Sequence, residues 1–122
     1  MQAVDIVAAA EQVARSVGLN RLNDPKSSKI TAHEVSRFRV PNAGKVLAAV
    51  VAAEPFGTSS DVLEFRLQMR GAHQRLSDLK QFGLVYGTGE TRESIYGGTV
   101  EVYRAKASVV HLIKGTEQGE LL

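Results

Sequence analysis

Gly83-Leu-Val-Tyr-Gly-Thr-Gly-Glu-Thr-Arg-Glu-Ser-Ile-Tyr-Gly-Gly-Thr-Val-Glu-Val-Tyr-Arg104 is the stretch whose reading decides the fold. Gly87, Gly89, Gly97 and Gly98 suit either a loop that cradles phosphate or the tip of a hairpin. A nucleotide-binding P-loop sits between a strand and a helix and ends in Lys followed by Ser or Thr. Residues 87–98 contain no Lys and lead into Thr99-Val-Glu-Val-Tyr-Arg104, which alternates as a strand does. The dinucleotide pattern G-x-G-x-x-G also fails, because Arg92 occupies the third glycine position. A hairpin tip explains the glycines, which permit positive φ. The expected strands are Leu84–Tyr86 and Thr99–Arg104, with residues 87–98 as the loop between them. Val100 and Val102 share one face of the second strand, and Thr99, Glu101 and Tyr103 the other.

Upstream of the hairpin the period changes to that of helices. Ala72, Leu76 and Leu79 form the inner face of a helix over 72–82, and Gly83 is its C-cap. Gln68-Met69-Arg70-Gly71 reads as a turn. Thr58-Ser59-Ser60 precedes a further helix from Asp61, with hydroxyl caps and an acid in the first turn. Pro55-Phe56-Gly57 breaks the helix before it, Ala43–Ala53, which Asn42 caps. Lys45 and Glu54 are the only charges there, so Val46, Leu47, Val50 and Val51 are expected to be buried. Thr31-Ala-His-Glu34 fits a capping box for a short helix from Ala32 to Phe38, stopped by Pro41. A strand over Glu34–Val40 is the other reading of that segment. Asn20–Ser28, with Pro25, is a polar connector, and Val4–Val17 is an amphipathic helix ended by Gly18. Beyond the hairpin lie Val109, Val110, Leu112 and Ile113, then a polar run from Lys114 to Glu120.

The length of 122 residues suits one domain, and 43% hydrophobic residues suffice for a core. Aromatics make up 6% and Trp is absent, so that core rests on Ala, Val, Leu and Ile. The absence of Cys excludes disulfides, thiolate chemistry and Cys-ligated metals, and fits a cytoplasmic protein. There is no run of 18 apolar residues to span a membrane. No basic stretch precedes an apolar one at the start, so no signal peptide is expected. His33, His73 and His111 share no helical face with a second ligand, so no metal is expected. Ser77 and Asp78 beside His73 lie on one helix, which is poor geometry for a triad. Neither catalysis nor a cofactor is expected.

The net charge is +2 and the pI about 9.1, which alone do not argue for nucleic acid. Distribution says more. Lys26, Lys29, Arg37, Arg39 and Lys45 face one acid, Glu34, over 26–45. Arg66, Arg70, Arg75 and Lys80, with His73, face Asp78 over 66–80. The expectation is a positive face on a nearly neutral chain, set against a solvated surface of scattered cations.

Helices followed by a glycine-tipped hairpin follow the order of a winged helix–turn–helix, an α+β fold that is mostly α, here with an extra N-terminal helix. Thr58-Ser59-Ser60-Asp61-Val62-Leu63 resembles the entry to the first helix of that motif. His73–Val85 is similar to the recognition helix and its exit, with Leu76 and Leu79 followed by Gly83-Leu84-Val85. Gly87-Thr-Gly-Glu-Thr-Arg92, Gly97-Gly98 and Val102-Tyr-Arg104 resemble the wing of small winged-helix proteins common in bacteriophages and prophages. The resemblance covers about residues 42–106. It departs from the pattern at Met69-Arg70-Gly71, which replaces a short polar turn. It departs again after Gly97-Gly98, where the usual basic residue is missing. The corresponding division of the chain is 1–41, a helix and basic connector; 42–106, the winged helix–turn–helix; and 107–122, a C-terminal extension.

The resemblance implies double-stranded DNA as partner and a small transcriptional regulator or accessory factor of a phage or mobile element. The recognition helix would enter the major groove, offering Arg70, His73, Gln74 and Ser77. Arg70 suits guanine O6 and N7, and Gln74 suits adenine N6 and N7. Arg75, Lys80, Ser59 and Ser60 are placed for phosphate. Arg92 in the wing would reach a phosphate or the minor groove, its other reading being a surface pair with Glu90 or Glu93. A homodimer through the N-terminal helix or the C-terminal extension would match a two-fold target, with residues 26–39 as a basic arm. The alternative is a winged-helix protein-interaction module that binds no DNA. Over 58–106 seven basic residues against six acidic ones keep that reading in view.

Overall fold

The computed structural model describes residues 6–19 and 29–119, the side chains of 29–38 and 115–119 excepted. The connector at 20–28, with Lys26 of the basic arm, lies outside the described residues, as do the side chains of Lys29 and Arg37. The described chain is α+β and mostly helical. Its elements are α1 (Ile6–Ser16), α2 (Lys29–Ala52), α3 (Ser60–Leu67), α4 (Ala72–Gln81), β1 (Val85–Glu93), β2 (Thr99–Ala105) and α5 (Ala107–Gly119). No helix among the described residues is long and apolar enough to cross a membrane.

The largest departure from the sequence reading is α2. Two helices divided at Pro41 and capped by Thr31 and Asn42 are expected; a single helix runs through all three positions. A mid-helix proline removes one backbone hydrogen bond and crowds the carbonyl four residues back, at about 3 kcal/mol. Burial of Val40 beside the proline and of the residues after it opposes this cost. Val40, Ala43, Leu47 and Val50 recur at helical spacing and are at most 2% exposed. They form one continuous apolar stripe across the proline, and stopping the helix there would split it. α1, α3, α4 and β2 all pack on α2, so a boundary between 41 and 42 falls inside the element that carries the core.

The flanking helices belong to that core. α1 contributes Ala10 and Ala14, and α5 contributes Val109 and Ile113. Val109 and Ile113 thus form the inner face of a helix, an element the tail's composition did not announce, while Leu112 faces outward. α1 lies close on α2 because Gly44 has no side chain. A Cβ there would stand 3.0 Å from Glu11 Cβ and 3.1 Å from Glu11 Cα.

α3 starts after Ser59, whose backbone is extended (φ −131, ψ 163), but the hydroxyl makes no cap bond to an N–H. This corrects the expected hydroxyl cap; the Ser59 Oγ donates instead to the Asp61 carboxylate. α3 ends at Gln68 in the left-handed region (φ 52), which turns the chain sharply into α4. Leu63 of α3 and Ala72, Leu76 and Leu79 of α4 are buried. Gly83 (φ 77) ends α4 as expected.

The two strands form an antiparallel hairpin. β1 runs to Glu93, so half of the expected loop is strand. The register holds from Val85 opposite Ala105 to Gly87 opposite Tyr103, and resumes with Thr91 opposite Glu101. Thr88, Gly89 and Glu90 therefore bulge opposite Val102. Thr88 Oγ1 donates to Val102 O at 2.9 Å and accepts the Glu90 N–H at 3.1 Å, which stabilises the bulge. The irregularity hid the strand from period-two reading. Thr58 bridges the other edge of β2, exchanging both backbone bonds with Tyr103 at 2.9 and 2.7 Å. Glu54, near the end of α2, takes a bidentate pair from Arg104 at 3.0 and 2.9 Å, so the base of the hairpin is fixed to the helical body.

Gly44→Leu tests the close approach of α1. Leucine is a better helix former than glycine, so propensity alone would stabilise α2. The steric conflict with Glu11 should dominate and lower stability by about 1–3 kcal/mol, as overpacking typically does. Urea unfolding followed by circular dichroism measures this, and a stabilised variant would refute it.

Candidate functional site

α4 separates its residues cleanly. Ala72, Leu76 and Leu79 face the core, while His73, Gln74, Ser77, Lys80 and Gln81 are exposed. The one acid of the helix, Asp78, is turned away: its carboxylate lies 3.3 Å from Arg75 Nε, and the two side chains are 15% and 14% exposed. Burial pushes the Arg75 guanidinium below its ordinary value, with Asp78 opposing and Arg39 reinforcing that shift. The exposed positions of α4 therefore carry no carboxylate.

The residues expected to meet DNA fall into two groups. Arg70, His73, Gln74, Ser77 and Lys80 lie exposed along α4 and the turn before it. His73 Nδ1 is 3.0 Å from Glu64 Oε1, which ties α4 to α3. Lys80 Nζ sits 5.7 Å from the centre of the Tyr103 ring, within cation–π range. The second group is engaged inside the molecule. Ser59 is 2% exposed and bonded to Asp61, so its hydroxyl cannot meet a phosphate. Arg75 is half-buried against Asp78. Arg92 folds back, donating to Phe56 O and, at 3.4 Å, to Gly57 O. Its partners are these two carbonyls, and the residue stays exposed at the surface. Ser60, the first residue of α3, is half-buried.

Two residues not singled out in the sequence stand out in the structure. Asp61 is 5% exposed, yet its carboxylate reaches the hairpin tip, where Oδ2 accepts the Ile95 N–H at 2.8 Å. As a first-turn acid it looked like an ordinary helix-start residue, and nothing local in the sequence links it to Ile95. Tyr96, at the tip, is 67% exposed. It lines a cleft of about 330 Å³ with Glu64, Gln68, Met69 and Arg70. An aromatic residue just before the tip glycines was the only available signal. Phe65 and Ile95 are also exposed, at 61% and 53%. On the hairpin's other side, a groove of about 470 Å³ is lined by residues including Phe56, Thr58, Val62, Arg66 and Arg92.

Burial pushes the Asp61 carboxyl up. Bonds from Ser59, the Ile95 N–H, Ser94 and the Val62 N–H outweigh it and hold the pKa below the ordinary carboxylate value. Comparison with protein-family models, curated proteins and solved structures gives no match to the chain.

A carboxylate with a depressed folded pKa stabilises the fold above its unfolded pKa of about 3.9, and that contribution disappears as pH falls through the folded value. Asp61→Asn should therefore be less stable than the wild type near neutrality. The gap should narrow as the pH is taken from about 6 to about 3. Thermal unfolding across that range checks the slope, and a constant gap would contradict it.

Proposed function

We propose that the protein is a DNA-binding winged helix–turn–helix module, with α3 and α4 as the helix–turn–helix and the β1–β2 hairpin as the wing. The observation that carries this reading is the outward face of α4. Histidine, glutamine, serine and lysine line it, Arg70 stands in the turn before it, and its only acid is withdrawn onto Arg75. These donors suit base edges and phosphates together, with the partly exposed Glu64 carboxylate of α3 paired to His73. In this reading Arg70 and Gln74 contact bases and Lys80 contacts phosphate. Arg75 supports the fold of the interface instead of touching DNA, while Arg92 holds the hairpin from an exposed position. The clustered apolar exposure of Phe65, Ile95 and Tyr96 favours a second reading, a surface for another protein.

Fluorescence anisotropy of a random-sequence duplex, titrated at several salt concentrations, separates the two. Affinity should fall linearly on a log–log plot, with a slope of about −0.9 per phosphate contact. Lys80→Ala should weaken binding uniformly and reduce that slope by roughly one. On a selected site, Gln74→Ala should lose about 1–3 kcal/mol of discrimination. No binding at low salt would refute the DNA reading and leave the protein partner.

We further propose a two-fold dimer formed through α1 and α5, where Val7 and Leu112 are 38% and 57% exposed. Light scattering should give twice the 13.2 kDa chain mass, and Leu112→Glu should return the protein to a single chain. A wild type that already scatters as one chain would rule the dimer out.

A further inference from the structure

We propose that Asp61 is a positioning residue for the wing: it holds the tip across α3 so that Tyr96 and Arg70 form one contact surface for DNA. The inference rests on the DNA-binding reading above and adds to it a mechanism for placing the wing.

The tip is a preformed unit. The Gly97 N–H donates to Ser94 O at 3.0 Å, and the Ser94 N–H donates to Gly98 O at 2.8 Å. The Tyr96 N–H donates to Ser94 Oγ at 3.1 Å. Gly97 and Gly98 take φ of 96 and 78 to close the turn. Ile95 and Tyr96 are the two central residues of a four-residue turn. A unit this stiff moves as one piece, so the bonds that Asp61 takes from the Ile95 N–H and from Ser94 determine where Tyr96 lies.

Asp61 takes those bonds from a shielded position. One oxygen is held by Ser59 and the other accepts the Ile95 N–H. Asp61 is 5% exposed, so water competes little for it. Behind the tip, the bulge at 88–90 interrupts the ladder, and interrupted ladders bend. Arg92 makes the second attachment, to Phe56 O and Gly57 O. It acts on the shaft of the hairpin and leaves the tip to Asp61. With the tip in place, Tyr96 and Arg70 line one cleft at the N-terminal end of α4. That is the end of a recognition helix that meets base edges.

The mechanism predicts coupling between residues on different elements. Asp61→Ala and Tyr96→Ala should each weaken DNA binding by between about 2-fold and 150-fold, the range of coupling between neighbouring residues. The double variant should bind no more weakly than Asp61→Ala alone. Asp61→Ala combined with Gln74→Ala should instead multiply the two losses. A residue that merely stabilised the fold would not distinguish Tyr96 from Gln74.

Ile95→Pro keeps Asp61 intact and removes only the donor, because proline fits the second position of this turn; it serves if Asp61→Ala does not fold. Ile95→Ala retains the N–H, so any excess loss in Ile95→Pro belongs to the hydrogen bond. Thermal unfolding of each variant establishes that it is folded before binding is compared. The expected result is a loss in Ile95→Pro exceeding that in Ile95→Ala, with non-additivity between 61 and 96. Wild-type affinity in Ile95→Pro, or simple multiplication of the losses at 61 and 96, overturns the positioning role while leaving DNA binding intact. A wild-type protein that binds no duplex overturns both readings.

Discussion

Burial of α2 is the constraint on which the rest of the structure depends. Its apolar stripe crosses Pro41 without interruption, and α1, α3, α4 and β2 take their positions from it. Lengths and angles elsewhere follow. α1 reaches van der Waals distance only because residue 44 is glycine, and α4 docks by three small or branched aliphatic side chains. The base of the hairpin is bound to the same helix through Glu54 and Arg104. Glu54 also raises the Arg104 guanidinium above its ordinary value through those hydrogen bonds and its charge. A proline is accommodated at the centre of this assembly because removing it from the helix would expose more apolar surface than the lost hydrogen bond offsets.

The hairpin is held in a graded way. At its base, Thr58 adds backbone pairing on the free edge of β2. Midway, Gly87 gives space to Glu101, since a Cβ there would lie 2.4 Å from Glu101 Oε2. That carboxylate in turn accepts the Gly89 N–H at 3.3 Å. At the tip the attachment passes to side chains from other elements. Of the polar groups that make these attachments, Ser59 and Asp61 are buried and serve the architecture, while Arg92 does so from an exposed position.

Local pattern carried much of the fold and less of the site. α1, α4, its glycine stop and the second strand were legible, because amphipathic period and cap chemistry act within a few residues. α2 was read as two pieces because a proline is a local signal, whereas the stripe that overrides it depends on neighbours distant in sequence. The first strand was cut short for a similar reason, since a bulge stabilised by Thr88 does not alternate. For the site, the exposure of Arg70, His73, Gln74, Ser77 and Lys80 followed from the helical period. The withdrawal of Arg75 depended on Asp78 three residues away and on burial. The folding back of Arg92 onto residues 56 and 57 and the reach of Asp61 to Ile95 span more than thirty positions and left no trace in composition or spacing.

The division of labour within α4 has an evolutionary consequence. The side chains that hold the helix, Ala72, Leu76 and Leu79, are disjoint from those it presents, His73, Gln74, Ser77 and Gln81. Exposed positions away from packing change stability little when substituted. Lineages descended from this chain can therefore exchange the presented set one residue at a time without passing through an unfolded intermediate. Asp78 is the exception, because losing it would strand a half-buried guanidinium. Change of the presented surface and persistence of fold are separable at Gln74, Ser77 and Gln81, whereas His73 also ties α4 to α3 through Glu64.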